Sequence, residues 1–157
     1  TSGELVIKGD NVLLEYFKNE EATQGAFNED GYFLTGDLGV EDEEGFFFIT
    51  GRKKELIIKG GENISPREID DTLYKHNAVL EACTFGIEGD NYGEEISACV
   101  YLKDDLVANE EELLDLCKAD LGEYKTPRQI IFVDKPLPKG PSGKIQRLKI
   151  ASQYSSA

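Results

Sequence analysis

Apolar and polar positions follow two different grammars along this chain. In the first fifty residues the apolar runs are short and are cut by turn residues. Glu4-Leu5-Val6-Ile7-Lys8 reads as a strand and Gly9-Asp10-Asn11 as the turn after it. Gly31-Tyr32-Phe33-Leu34-Thr35 and Gly45-Phe46-Phe47-Phe48-Ile49 read as aromatic strands, with Asp42-Glu43-Glu44-Gly45 as a hairpin turn. Helical signal is confined to a weak stretch near Glu20-Glu21-Ala22.

From about Glu55 the pattern changes. Leu56-Ile57-Ile58 is a short strand ended by Gly60-Gly61. Ser65-Pro66-Arg67-Glu68 opens a helix: Ser65 is an N-cap residue, Pro66 suits the first helical position, and Glu68 completes a capping box. Ile69, Thr72, Leu73 and His76 fall on one helical face, and Asn77 closes the helix. Val79 to Ile87 and Ile96 to Leu102 are core strands. Asn109 with Glu110, Glu111 and Glu112 opens a second helix whose buried face carries Leu113, Cys117 and Leu121, and Gly122 ends it. Gln129 to Val133 is a further strand, and a closing helix runs from about Lys144 toward Gln153. The expected class is α+β: a short all-β piece, residues 1–54, then a unit of residues 55–157 with a hairpin, a small mixed sheet and packed helices.

Charge narrows the function classes. The 157 residues carry 17 Lys+Arg against 31 Asp+Glu, a net charge of -14, which disfavours nucleic acid as a partner. No apolar run spans a bilayer, and the N-terminus lacks a basic-then-apolar leader pattern, so an intracellular, cytoplasmic protein is expected. The tail Ser155-Ser156-Ala157 is not a Ser-Lys-Leu peroxisomal signal. A first residue of Thr1 rather than Met leads us to expect a portion of a longer protein. One His and three widely spaced cysteines, Cys83, Cys99 and Cys117, fit neither a metal site nor a disulfide framework; they read as reduced core thiols. Cations are concentrated. Residues 19–50 hold nine acids and no Lys or Arg, whereas residues 135–149 hold Lys135, Lys139, Lys144, Arg147 and Lys149 and no acid. A second cluster is Arg52, Lys53, Lys54 and Lys59. Such focusing points to an anionic ligand, or else to neutralisation of the acidic stretch.

Four stretches carry candidate chemistry. In Tyr32-Phe33-Leu34-Thr35-Gly36-Asp37 an Asp on a glycine turn can accept two hydroxyl protons from a vicinal diol, or simply hold the turn. Gly51-Arg52-Lys53-Lys54-Glu55 leads through an apolar strand to Gly60-Gly61-Glu62-Asn63-Ile64, where paired glycines allow a tight hairpin or the close approach of a ligand. Leu121-Gly122-Glu123-Tyr124-Lys125-Thr126-Pro127-Arg128 is a helix end with two cations and a Tyr expected to be buried. Pro136-Leu137-Pro138-Lys139-Gly140-Pro141-Ser142-Gly143-Lys144 is a Gly/Pro-held loop that projects a lysine. It is not a phosphate-binding P-loop, because Pro138 stands where that motif has Gly and Ile145 where it has Ser or Thr.

In this order and spacing the four stretches, with Gly3-Glu4-Leu5-Val6-Ile7-Lys8-Gly9 and Tyr16 before them, resemble the closing part of the acyl-adenylate-forming (AMP-binding) enzymes. Gly60-Gly61-Glu62-Asn63-Ile64 is most like the acyl-CoA synthetase branch. The resemblance implies a two-step reaction. A small-molecule carboxylate attacks the α-phosphorus of ATP, giving an acyl-adenylate and pyrophosphate; CoA thiol then displaces AMP to give acyl-CoA. It implies that residues 1–54 end a large N-terminal domain and that residues 55–157 form a small domain that turns about a hinge.

The resemblance also places roles. Asp37 matches the aspartate that binds the ribose hydroxyls, Arg52 an arginine that holds the nucleotide, and Lys54 the hinge position, where many members have Asp. Lys144 matches the lysine that enters the active site for adenylation, where an ammonium lowers the repulsion between carboxylate and phosphate. Gly60, Gly61 and Glu62 match the strand lining the pantetheine tunnel of CoA. Lys125 and Arg128 are equally candidate CoA-phosphate contacts and solvated cations, and His76 is a helix-end residue. The family's phosphate loop and adenine-stacking aromatic belong to the large domain, with most of the contacts to ATP and its Mg2+, so the piece alone is expected to be inactive. No protein-bound metal is expected on it. Two rivals stand beside this reading: a luciferase-like or peptide-synthetase adenylation module, and a free-standing non-catalytic binding domain.

Overall fold

A computed structural model describes residues 2–89 and 93–154. Thr1 and the tail Ser155-Ser156-Ala157, on which the sequence reading drew, lie outside them. The chain divides into two compact units, residues 1–54 and 55–157.

In the first unit β1 (Ser2–Ile7), β2 (Phe33–Glu41) and β3 (Phe47–Arg52) form an antiparallel sheet in that order, with the short α1 (Glu20–Gly25) between β1 and β2 in sequence. The Asp42 turn is as expected. Its carboxylate accepts the N–H groups of Glu44 and Phe46 at 2.9 Å each, and Gly45 supplies the left-handed residue, φ 84°. One expectation needs correction. Asp37 is not on a turn after a strand that ends at Thr35; β2 continues through it to Glu41. The strand absorbs the glycine by bulging. Leu34 pairs with Val6 and Leu38 with Glu4, so residues 35–37 stand opposite Leu5 alone. Gly36 takes φ 71°, Thr35 Oγ1 donates to the Leu5 carbonyl at 2.7 Å, and the Gly36 N–H donates to Glu4 Oε1 at 3.0 Å.

The second unit opens with a hairpin, β4 (Ile57–Lys59) and β5 (Glu62–Ile64), joined by Gly60-Gly61. Both glycines have positive φ, 56° and 83°, as a two-residue turn matched to strand twist requires. α2 (Pro66–Leu73) follows. Its capping box is not made: the Ser65 side chain makes no cap hydrogen bond, and Glu68 instead meets Lys125 Nζ at 2.8 Å. The helix also stops at Leu73 rather than Asn77. Lys75 and His76 bond three residues back and His76 accepts from Val79, so the last turn tightens and feeds the next strand.

That strand, β6 (Val79–Glu88), pairs antiparallel with β7 (Glu94–Leu102); β8 (Gln129–Val133) pairs parallel with β7. The β7–β8 crossover is α3 (Glu110–Leu121), where Asn109 and Glu112 do form a capping box and Gly122 ends the helix at φ 80°. α4 (Arg147–Tyr154) closes the unit. Period-two alternation along β6 and β7 sends residues to two cores. Ala82, Ile96, Ala98 and Val100 meet Ile69, Leu73, Leu113 and Cys117; Cys83, Phe85 and Cys99 meet Leu137 and Ile150. All three cysteines are buried, and burial pushes the Cys83 thiol up to about 12 and the Cys117 thiol up to about 11, so neither is a nucleophile at neutral pH. The architecture is α+β.

Candidate functional site

Asp37 and Arg52 face each other as a cross-strand pair of β2 and β3, and Arg52 Nε lies 2.6 Å from Asp37 Oδ1. A separate register shift sets this pairing: β3 carries Thr50 as an extra residue between the Gly39–Ile49 and Leu38–Gly51 pairs, which brings Asp37 opposite Arg52, the last residue of β3. The aspartate side chain is 24% exposed and the arginine 44%, so the pair is open to solvent at its guanidinium end. Beside it an open recess of ≈ 320 Å³ is lined by Thr35, Gly36, Arg52, Lys53 and Lys54. A larger recess of ≈ 580 Å³, along Glu15 to Glu20 and Thr23, contains none of the candidate residues. Lys53 reaches back to Glu4 at 2.8 Å, and that hydrogen bond holds the Glu4 carboxyl below its ordinary value. Lys54 is exposed in a 3-10 turn, Lys53–Glu55, and the division between the two units falls directly after it.

The Gly60-Gly61-Glu62 turn is held from two sides. Tyr124 Oη donates to the Lys59 carbonyl at 2.5 Å, and a Cβ on Gly60 would stand 2.8 Å from that oxygen. On the other side Glu94 Oε2 accepts the Ile58 N–H at 2.7 Å, and Lys59 pairs with Glu95 at 3.0 Å. Tyr124 is therefore not the buried residue expected from the sequence; it is 43% exposed and lies flat enough for Lys59 Nζ to sit 5.5 Å from its ring centre. Lys125 is spoken for by Glu68, while Arg128 is exposed. His76 follows the helix end, and its Nδ1 accepts the Ala78 N–H at 3.3 Å.

Lys144 stands at the end of a small hairpin. Gly140 N–H donates to the Lys144 carbonyl at 2.9 Å, Gln146 N–H to the Pro138 carbonyl at 2.8 Å, and Gly143 takes φ 78°. Its base is fastened by buried Leu137, whose N–H donates to Glu81 Oε2 at 2.7 Å, and by a Lys139–Glu81 ion pair. The Lys144 side chain is exposed, and among the described residues its ammonium has no partner. Three residues later Arg147 is largely buried. It meets Glu55 Oε2 at 3.0 Å through Nε, Asp70 Oδ2 at 2.9 Å through one terminal nitrogen, and the Thr84 carbonyl at 2.6 Å through the other. Burial pushes the Asp70 carboxyl up to about 6, outweighing the attraction of Arg147.

Residues 68–144 match the AMP-binding enzyme C-terminal domain. The chain belongs to the AMP-binding enzyme family. It is similar to sulfoacetate–CoA ligase of Cupriavidus necator, 49% identical over 148 residues that make up 94% of this chain and 29% of that protein. Oxalate–CoA ligase of Saccharomyces cerevisiae is 44% identical over 156 residues, 99% of this chain and 28% of that protein. Among solved structures, ATP-bound MatB from Rhodopseudomonas palustris superposes with a TM-score of 0.92 at 34% identity, over 99% of this chain and 31% of that one. The chain thus spans about three-tenths of the length of these AMP-binding relatives.

The AMP-binding match ends on Lys144 and includes residues the sequence reading passed over: Asp70, Glu94 and the structural use of Tyr124. Asp70 drew no reading from the sequence, since only the tertiary fold lays α2 against β6; the sole sequence hint was an acid one residue after the apolar Ile69. Glu94 was hidden for the same reason: it acts across to a hairpin 36 residues earlier. Among the described residues no group of three or more His, Cys, Asp or Glu side chains converges to hold a metal, and no helix is long and apolar enough to cross a membrane.

Proposed function

We propose that this chain is the C-terminal part of an ATP-dependent acyl-CoA synthetase, and that Lys144 serves the adenylation half-reaction. The observation that carries the reading is the exposed, unpartnered ammonium of Lys144 on a hairpin pinned at both ends. A lysine held out by ordered backbone loses little freedom when it meets an anion, and its charge lowers the barrier to bringing a carboxylate against a polyphosphate. The oxygen of the carboxylate forms the new bond to the α-phosphorus, the bond to the bridging oxygen breaks, and pyrophosphate leaves with that electron pair.

The remaining roles belong to the same proposal. Asp37 and Arg52 hold each other in register, so the ribose hydroxyls meet an oriented carboxylate and the nucleotide an oriented guanidinium. Lys54 is the pivot between the units. Gly60-Gly61 offers a stretch of backbone bare of Cβ atoms, with Glu62 after it, to the pantetheine arm of CoA. Support comes from relatives named as CoA ligases and from a solved neighbour carrying ATP.

The test is Lys144→Ala in the full-length protein. Pyrophosphate release on mixing carboxylate and ATP falls about 10²–10³-fold, by comparison with loss of one preorganised donor. Thioester formation from supplied acyl-adenylate and CoA stays at the parent rate. Equal loss in both steps defeats the assignment of Lys144; a parent-like enzyme that makes no thioester from CoA defeats the choice of acceptor.

A further inference from the structure

β6 is an edge strand, since the sheet order is β6-β7-β8. Its outer backbone groups are covered by side chains rather than by another strand. Tyr74 Oη accepts the Ala82 N–H at 3.1 Å. At Thr84 the N–H donates to Asp70 Oδ1 at 2.6 Å and the carbonyl accepts from Arg147 at 2.6 Å. Arg147 is thus a three-way clamp. Each of its nitrogens goes to a different element: β6 at Thr84, α2 at Asp70, and Glu55, the first residue of the second unit. The Arg147 side chain is 15% exposed and that of Asp70 9%, so these contacts are poorly screened.

Only two residues separate Arg147 from Lys144. Between them Gln146 closes the hairpin onto Pro138, so the clamp and the lysine share one short, hydrogen-bonded path. We propose that Arg147 is a positioning residue for Lys144, locking the lysine hairpin to the residue that begins the second unit, so that the two are carried as one body. The inference rests on the reading of Lys144 given above. It assigns the clamp to adenylation and not to the thioester step. A planar guanidinium can serve three directions at once; an ammonium at the same place cannot keep the fork.

The experiment uses the full-length protein. Arg147→Lys lowers kcat for acyl-adenylate formation about 10–100-fold, the scale of a misplaced reacting group, with KM for ATP and for the carboxylate within about twofold. Thioester formation from supplied acyl-adenylate stays within about twofold. In the Lys144→Ala background the same substitution has no further effect on adenylation, because the group it positions is gone. Equal loss in both half-reactions, or a full additional loss in the Lys144→Ala background, overturns the proposal and leaves a structural clamp. Lys144→Ala on its own decides the underlying reading separately: if that variant adenylates normally, the role of Lys144 fails whatever Arg147 does.

Glu55→Gln removes the charge from one leg only and serves if Arg147→Lys does not fold; it lowers adenylation about 3–10-fold with the same split. A spin label on Ser142→Cys gives a readout without turnover: the three thiols of this chain are buried, and any accessible thiol elsewhere in the full-length protein is first replaced by Ser. The label becomes more mobile in Arg147→Lys and in Glu55→Gln. An unchanged line shape in both overturns the proposal.

Discussion

The two units of this chain solve the burial problem differently. In the second, twelve buried residues on one side of the β6-β7-β8 sheet and five on the other form two cores. In the first, Ala26 and Gly39 are the only buried residues among those described, while Phe46, Phe47, Phe48 and Ile49 are each at least half exposed. The same contrast governs charge. Glu4 and Lys53, near the surface of the first unit, attract each other and the glutamate is lowered. Asp70 and Arg147 attract each other too, yet burial wins and the aspartate is raised. A unit with a core can hold a charge where water does not reach it. A sheet without one keeps its charges wet.

The sharpest break of this contrast is a pair of truncations. Phe85 is 2% exposed and stacks on Tyr154, so Phe85→Ala costs the second unit about 3–5 kcal/mol. Phe47 is 63% exposed, and Phe47→Ala costs less than about 1 kcal/mol anywhere in the chain. Hydrogen exchange at the β7 amides measures both. Comparable losses there mean that the first unit shares the core after all.

Next in size is the pH dependence carried by Asp70, which Arg147 from α4 and Thr84 from β6 face directly, with Cys83 and Glu55 alongside Arg147. Its folded value of about 6 lies above the ordinary 3.8, so between these values the native state holds a proton the unfolded chain does not. Stability from this group therefore rises as pH falls through 6 and is complete below 3.8. Asp70→Asn lacks the effect. The stability difference, parent minus variant, grows by about 2 kcal/mol between pH 8 and pH 4. A difference that shrinks on acidification shows the ion pair winning over burial and removes the contrast with Glu4.

These positions also mark what could be read without coordinates. Local signals were legible wherever one segment decides them: the Asp42 turn, the start of α3 at Asn109, its glycine end, and the core strands β6 and β7. The Lys144 loop and the paired glycines stood out because Gly and Pro punctuate the chain there. What stayed hidden depends on partners far apart in sequence. Glu68 fits a capping box by spacing, but Lys125, 57 residues on, takes its carboxylate. Asp37 looked like a turn residue because the bulge that keeps it in β2 is made by Leu5 and Glu4 on another strand. Tyr124 was expected to be buried at the end of α3; only the fold shows it lying over Gly60.

Gly60 gives a smaller, more local test of the second unit. Ala there takes a left-handed φ of 56° and its Cβ meets Tyr124 Oη, so Gly60→Ala costs about 1–2 kcal/mol. Part of that cost is the contact. Combined with Tyr124→Phe it falls by about 0.5–1 kcal/mol, a coupling seen in a double-mutant cycle on urea denaturation. Strict additivity means that the phenol does not press on the turn.

The smallest effect puts the same chemical device in both units. Asn19 accepts the Ala22 N–H at 3.0 Å at the start of α1, and Asn109 accepts the Glu112 N–H at 2.9 Å at the start of α3. Each replacement by Ala strands one helix donor, a loss of about 1 kcal/mol. The two losses differ in reach. α3 buries Leu113 and Cys117 in the larger core, so fraying its first turn loosens groups that hold the sheet. α1 is six residues long and buries none, so it can open without exposing anything that was dry. Asn109→Ala therefore lowers protection of the β7 amides by about 1 kcal/mol, whereas Asn19→Ala leaves them unchanged and speeds exchange only within α1. Equal effects at β7 would show that cooperativity extends across the boundary after Lys54, and the contrast between a unit with its own core and one without would have to be given up.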